Sequence, residues 1–148
     1  MHYVEQKKRN TYLEYRIGKM YQYGLGTDEN LEQAAEWFSK AAAKEHKYAL
    51  YSLGMLYLQG KGVEQDEETA YSLLFRSYSK GNPYAAYELG KLYETGCGTE
   101  KNQEKSENCY RVAFLGFLNL EKRSKDDTLW YRICLLYTSD AADDMQCV

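Results

Sequence analysis

Apolar and polar positions recur along this chain with a period of 36 residues. Tyr12, Tyr48 and Tyr84 fall in register, as do Tyr15, Tyr51 and Tyr87, and then Tyr21, Tyr57 and Tyr93. Three glycine positions recur with them: Gly18, Gly54, Gly90; Gly24, Gly60, Gly96; and Gly26, Gly62, Gly98. Together they hold nine of the 11 glycines. The register divides the chain into units 12–47, 48–83 and 84–119 after a lead-in of residues 1–11. Each unit opens with an apolar stripe at i, i+4, i+7 and i+8: Leu13, Ile17, Met20, Tyr21, then Ala49, Leu53, Leu56, Tyr57, then Ala85, Leu89, Leu92, Tyr93. That is the period of a helix. A second stripe follows in each unit, through Ala34, Trp37, Phe38 and Ala41, then Ala70, Leu73, Leu74 and Ser77. In unit three it turns more polar, with Ser106, Cys109, Tyr110 and Ala113. The pattern predicts an all-α chain of helix pairs over 11–23 with 30–45, 47–59 with 66–80, and 83–95 with 102–118.

The glycines and polar residues between the stripes punctuate these helices. Gly18, Gly54 and Gly90 lie mid-helix, where Gly costs about 1 kcal/mol relative to Ala. Their retention predicts a neighbouring helix too close for a Cβ. A bulky residue at Gly54 is therefore expected to cost more than Ala at Gly60 or Gly62. In each G-x-G the first Gly suits a left-handed helix end and the second a tight turn. Asn30, Asp66 and Asn102 stand where the second helices need N-caps. Gly81-Asn82-Pro83 joins units two and three, with Asn82 as cap and Pro83 at the first helical position. Asn10-Thr11-Tyr12 matches Asn82-Pro83-Tyr84, which predicts a repeat boundary near residue 10.

This pattern resembles the Sel1-like repeat family. Unit two carries the motif most fully, in Ala49, Leu53-Gly54, Tyr57, Gly60-Lys61-Gly62-Val63, Asp66 and Ala70. Unit one departs from it at Leu13, Ile17, Thr27 and Asn30, and unit three at Thr99, Asn102 and Ser106. The related tetratricopeptide repeat has a period of about 34 residues and lacks the G-x-G. The resemblance implies a right-handed α-solenoid that serves as an adaptor in protein complexes.

Beyond unit three the register falters. A charged stretch, 120–128, precedes Leu129-Trp130-Tyr131-Arg132-Ile133, which resembles Leu13-Glu14-Tyr15-Arg16-Ile17 and reads as the opening of a fourth repeat, 129–133. Cys134 stands where the next Gly is due. From there to Asp144 the sequence resembles one reading frame of a transposon-end sequencing adapter, so 134–148 reads as an adapter-derived tail. The alternative is a degenerate repeat followed by an acidic tail.

Charge removes some partners from consideration. The net charge of −3 comes from Asp140, Asp143 and Asp144 in the last 15 residues, which hold no Lys or Arg. A balanced body gives no electrostatic reason for nucleic acid or an acidic membrane as partner. Mean hydropathy is −0.71, and no apolar run approaches a membrane span. Cys97, Cys109, Cys134 and Cys147 form no C-x-x-C, and with only His2 and His46 beside them no zinc set assembles at the usual spacing. The N-terminal residues carry no apolar signal segment, so the cytoplasm is the expected compartment.

No nucleophile–base pair stands out, and no catalytic residue, metal or cofactor is expected. His46 reads as a solvated turn residue and His2 as part of a frayed terminus. Cys97 lies between two glycines beside Lys101, which would lower its pKa; a neutral exposed thiol is the plainer reading. Cys109 reads as core filler at the Trp37 position. Gly24-Leu25-Gly26 is no phosphate loop, lacking a preceding strand and a following Lys-Ser/Thr. Lys7-Lys8-Arg9 reads as a solvated basic run.

One recurrent surface remains. At about 100° per residue, four positions of each first helix lie together beside the core stripe. They hold Tyr12, Arg16, Lys19 and Tyr23, then Tyr48, Ser52, Met55 and Gln59, then Tyr84, Glu88, Lys91 and Thr95. Stacked units would align them into one face rich in the Tyr, Arg and Met enriched at protein interfaces. The competing reading packs the tyrosines unit on unit and leaves the charges merely solvated. Three functions follow. The first is a non-catalytic scaffold binding a protein or peptide, of unstated oligomeric state. The second is the repeat tail of a larger bacterial enzyme, since Tyr-rich Sel1-like tails resemble those of conjugative mobilisation relaxases. The third is an enzyme in its own right, as a few cysteine-rich Sel1-like proteins are linked to β-lactam hydrolysis; the unpaired cysteines and missing signal segment speak against it.

Overall fold

The computed structural model describes residues 2–124. Six α-helices follow in order: α1 (His2–Tyr23), α2 (Leu31–Ala43), α3 (Lys47–Gln59), α4 (Glu67–Ser79), α5 (Pro83–Thr95) and α6 (Gln103–Ser124). Among the described residues there is no strand. α1 pairs with α2, α3 with α4 and α5 with α6, while α2 against α3 and α4 against α5 join one pair to the next. Each helix thus packs chiefly on its neighbours in sequence, the arrangement of an α-solenoid.

The helix ends follow from the residues picked out above. Asn30, Asp66 and Asn102 each accept a backbone N–H three residues on, from Gln33, Thr69 and Lys105 at 3.0–3.2 Å. Gly60 and Gly96 end α3 and α5 in the left-handed region, at φ 66° and 74°. Asn82 caps α5 by accepting the Tyr84 N–H at 3.1 Å, with Pro83 in the first turn.

The mid-helix glycines admit side chains of the paired second helix. A Cβ on Gly18 would lie 2.5 Å from the Phe38 ring, and one on Gly90 2.6 Å from the Tyr110 ring. At Gly54 the neighbour is Leu74, and the approach is looser at 3.0 Å. The second loop glycines do more than turn the chain. A Cβ on Gly62 would overlap the backbone carbonyl of Leu31, where α2 begins, and one on Gly98 the carbonyl of Glu67, where α4 begins. These glycines are notches that let one unit seat on the start of the previous unit's second helix. Gly62, with φ +74° and backbone in its path, is therefore the stricter requirement than Gly54, the reverse of the sequence expectation.

The outermost helices also depart from expectation. α1 does not begin near residue 11. The lead-in carries Glu5-Gln6-Lys7-Lys8-Arg9, all good helix formers, and Thr11 satisfies its hydroxyl on the Lys7 carbonyl at 2.8 Å. Asn10 therefore sits inside α1 and is no cap. α6 runs past 118 because Phe117 stands where Glu45 and Gly81 take left-handed conformations, φ 62° and 87°, to leave the helix. Phe117 is instead 2% exposed within α6. Ser106 lies on the core-facing stripe where the register placed it. It is fully buried and donates to the Gly90 carbonyl at 2.8 Å, much as Ser77 donates to the Lys47 carbonyl at 2.6 Å. The readings placed on 129–133 and 134–148 lie outside the described residues.

Candidate functional site

The first-helix stripe differs from unit to unit. On α1 it is open: Tyr12 is 52% and Tyr23 60% exposed, Arg16 is exposed, and Lys19 lies between them. The Lys19 ammonium sits 5.1 Å from the Tyr23 ring centroid and 5.8 Å from that of Tyr15, a cation–π arrangement that keeps the tyrosines and the charge in one patch. On α3 and α5 the stripe is interrupted. Ser52 is 3% exposed and Glu88 9%, so neither offers a free surface, contrary to the aligned face expected from sequence. Glu88 is tied to Lys91 at 3.1 Å, and the Lys91 ammonium also lies 4.6 Å from the Tyr87 ring. Met55 is half-buried against the cluster formed by α4 and α5. Gln59 and Thr95 are exposed at the far ends.

Tyr48 and Tyr84 are half-buried rungs between units. The Tyr48 ring lies 6.1 Å from Tyr15 of the unit before, and the Tyr84 ring 6.1 Å from Tyr51 in the same relation. Tyr84 also meets Phe117 edge-on at 5.0 Å. Burial raises the Tyr15 pKa, with the neighbouring Tyr23 and Tyr48 hydroxyls adding to the shift. A second inter-unit tie joins the hydroxyls of Tyr71 on α4 and Tyr93 on α5 at 2.7 Å, and burial followed by this hydrogen bond raises the Tyr93 pKa strongly.

His46 is no solvated turn residue. It is half-buried, stacks on Tyr15 at 4.9 Å and accepts the Ala49 N–H through Nδ1 at 3.2 Å, which makes it the N-cap of α3. Its burial, then the Lys47 charge, lowers its pKa. The signal was available in sequence, because His46 is one period before the cap Asn82. Glu45 beside it pairs with Arg76 and lies 3.6 Å from Lys80 of α4, and the Arg76 hydrogen bond lowers its pKa.

Neither described cysteine is activated. Cys97 is half-buried, and burial with the nearby Glu67 raises its pKa rather than lowering it, so the thiol stays neutral. Burial does the same to Cys109, which fills the core as expected. An open cleft of about 660 Å³ lies between the start of α4 and the loop at 96–100, with Asp66, Glu67, Glu68 and Glu100 in its lining. Among the described residues no group of His, Cys, Asp or Glu is arranged to hold a metal ion. No described helix is long and apolar enough to cross a membrane.

The profile of the Sel1 repeat matches residues 12–46, 47–82 and 83–114. The chain belongs to the Sel1 repeat family. Its solenoid is similar to that of a Sel1 repeat protein from Oxalobacter formigenes, 26% identical, with a TM-score of 0.73 over 93% of this chain and 53% of that one. It is also similar to a protective antigen of uropathogenic Escherichia coli strains that displays an SLR fold, 22% identical, TM-score 0.69, over 90% of this chain and 27% of that one. The chain thus spans about half the length of the first structure and about a quarter of the second. No curated protein matches it. Sel1 repeats generally serve as protein-interaction scaffolds, and the chemistry-poor surface described above accords with that class.

Proposed function

We propose that this chain is a non-catalytic adaptor whose partner is a polypeptide, held on the first-helix stripe where that stripe is open. The observation that carries the reading is the α1 stripe of Tyr12, Arg16, Lys19 and Tyr23, in which Tyr12 is 52% and Tyr23 60% exposed and the Lys19 ammonium lies against the Tyr23 ring. Side chains of these types concentrate binding energy at protein interfaces. Tyr48 meets Tyr15 on α1 from the next unit. The balanced charge of residues 1–133 leaves recognition to contact chemistry rather than long-range steering. The adaptor works in the cytoplasm, where neutral thiols such as Cys97 and Cys109 persist unpaired.

The test is selection of peptides from a random library on the full chain, followed by binding to the Tyr12→Ala/Tyr23→Ala variant. Losing two exposed anchors is expected to weaken the selected peptides by about 30-fold or more, the equivalent of roughly 2 kcal/mol. The helical circular dichroism should stay unchanged. Selected peptides that bind the variant as tightly as the parent would move the site elsewhere.

A further inference from the structure

Cations without carboxylate partners line one side of α1, and we infer that the partner segment held there is acidic: a short stretch of Asp and Glu side chains laid along α1, with its carboxylates on Arg16 and Lys19. The inference rests on the reading of the α1 stripe as the binding face. At about 100° per residue, Arg16 and Lys19 lie within about 40° of Tyr12, and Lys8 and Arg9 within about 60°. Lys8, Arg9 and Arg16 are exposed and Lys19 is half-buried. Glu5, toward the start of the helix, is the one carboxylate that this side of α1 carries. Glu14 falls on the opposite side, where it holds Lys44 at 2.6 Å. Among the described residues no carboxylate pairs with Arg16 or Lys19.

Unit three shows the complement of this surface. Tyr87, Glu88 and Lys91 stand at the register positions of Tyr15, Arg16 and Lys19. There the Lys91 ammonium lies 4.6 Å from the Tyr87 ring and 3.1 Å from the Glu88 carboxylate. Unit one keeps the lysine over its tyrosine, with the Lys19 ammonium 5.8 Å from the Tyr15 ring, and puts Arg16 in place of the carboxylate. An ammonium on an aromatic face keeps donors for a second partner. Like charges one turn apart oppose a helix, so Arg16 beside Lys19 is a local cost that an external carboxylate removes. The Arg16 guanidinium brings the planar fork that takes a carboxylate through two parallel hydrogen bonds. Tyr12 and Tyr23 bracket the pair and supply the aromatic contact beside it.

The charges around the strip select a peptide over a longer polyanion. From Arg9 to Lys19 the strip spans about 15 Å, the reach of roughly four or five extended residues. Past Tyr23 the chain carries Asp28, Glu29 and Glu32, and unit two repeats the pattern with Asp66, Glu67 and Glu68. A nucleic acid continuing beyond the strip meets those carboxylates, whereas a short acidic segment ends before them.

The test uses peptides with blocked termini, selected from a random library on the full chain. Asp and Glu should be enriched among them, and binding should weaken as salt is raised. Replacing the acidic residues of a selected peptide by Asn and Gln is expected to weaken it about tenfold on the parent, and by less than about twofold on Arg16→Gln/Lys19→Gln. Arg16→Glu copies the Glu88–Lys91 pair of unit three, so it should keep the parent's melting temperature while losing about tenfold or more in affinity for these peptides. Selected peptides that lack acidic residues, yet weaken on Tyr12→Ala/Tyr23→Ala, overturn the acidic partner and leave the α1 site standing. Peptides indifferent to both pairs of substitutions overturn the site as well. Displacement of a bound acidic peptide by a single-stranded RNA oligonucleotide of equal charge overturns the choice of a peptide.

Discussion

Units one and two share one pattern but not one environment. Gly26 and Gly62 occupy the same position with nearly the same backbone, φ +76° and +74°, yet only Gly62 faces another unit's backbone. Leu13 is half exposed where its counterpart Ala49 is fully buried. The pattern specifies how each hairpin folds, and the neighbour decides what a given position costs to change. Ala substitutions at the two glycines separate these contributions. Gly26→Ala should cost only the left-handed strain, about 1 kcal/mol. Gly62→Ala adds overlap with the Leu31 carbonyl, a backbone atom that cannot swing away, and is expected to lose on the order of 4 kcal/mol. Urea midpoints measure both. Equal losses would mean the notch is not a packing constraint.

The tyrosines extend the contrast. Tyr48→Ala with Tyr84→Ala removes two half-buried rungs between units and is expected to destabilise by on the order of 3 kcal/mol, with earlier loss of helical signal on heating. Tyr12→Ala with Tyr23→Ala, on the open part of the same stripe, should stay within about 0.5 kcal/mol of the parent. A Tyr48→Ala/Tyr84→Ala protein as stable as the parent would return those rings to the binding surface proposed from sequence.

Within the hairpins the mid-helix glycines form a graded series. Gly18→Ala and Gly90→Ala place a Cβ at 2.5 and 2.6 Å from the rings of Phe38 and Tyr110, and a packed ring yields little. Each is expected to cost about 1–3 kcal/mol. Gly54→Ala meets Leu74 at 3.0 Å and gains helix propensity of about 1 kcal/mol, so it should lie near neutral. Chemical denaturation of the three variants ranks them, and a Gly54→Ala loss as large as that at Gly90 would contradict the ranking.

What sequence conveyed and what it withheld divide along the same line. The 36-residue register placed α3 at 47–59 and α5 at 83–95, the observed limits, because caps and left-handed glycines are local signals. It missed the lengthening of α6 because the breaking signal at Glu45 and Gly81 is replaced by Phe117, and an absent signal is easily overlooked beside a present one. It placed Ser52 and Glu88 on a surface because a helical wheel knows nothing of the next unit. Cap geometry alone, through the match of His46 to Asn82, would have revealed the buried histidine.

That histidine supplies the smallest effect. Its neutral imidazole accepts the Ala49 N–H at 3.2 Å and lies against Tyr15, and burial holds its pKa below the ordinary value near 6.5. In the unfolded chain it takes up a proton as pH falls through about 6.5, while in the folded chain it resists. The unfolded state therefore binds more protons in that window. The cap's contribution is fully present above about pH 6.5 and is lost as pH falls through the lower folded value. A protonated Nδ1 can no longer accept, so the first turn of α3 loses its partner as well. Glu45 and Asp66 are held below the usual carboxylate range by Arg76 and Thr69, so their titration falls at lower pH. Asn82 shows that Asn caps the equivalent helix, and His46→Asn keeps a cap without the titration. The parent's melting temperature should drop by roughly a degree or two more than the variant's between about pH 7.5 and 5.5, a difference below about 1 kcal/mol. Parallel profiles for the two proteins would show that the His46 proton is not coupled to folding, and the stacking on Tyr15 would then be its whole role.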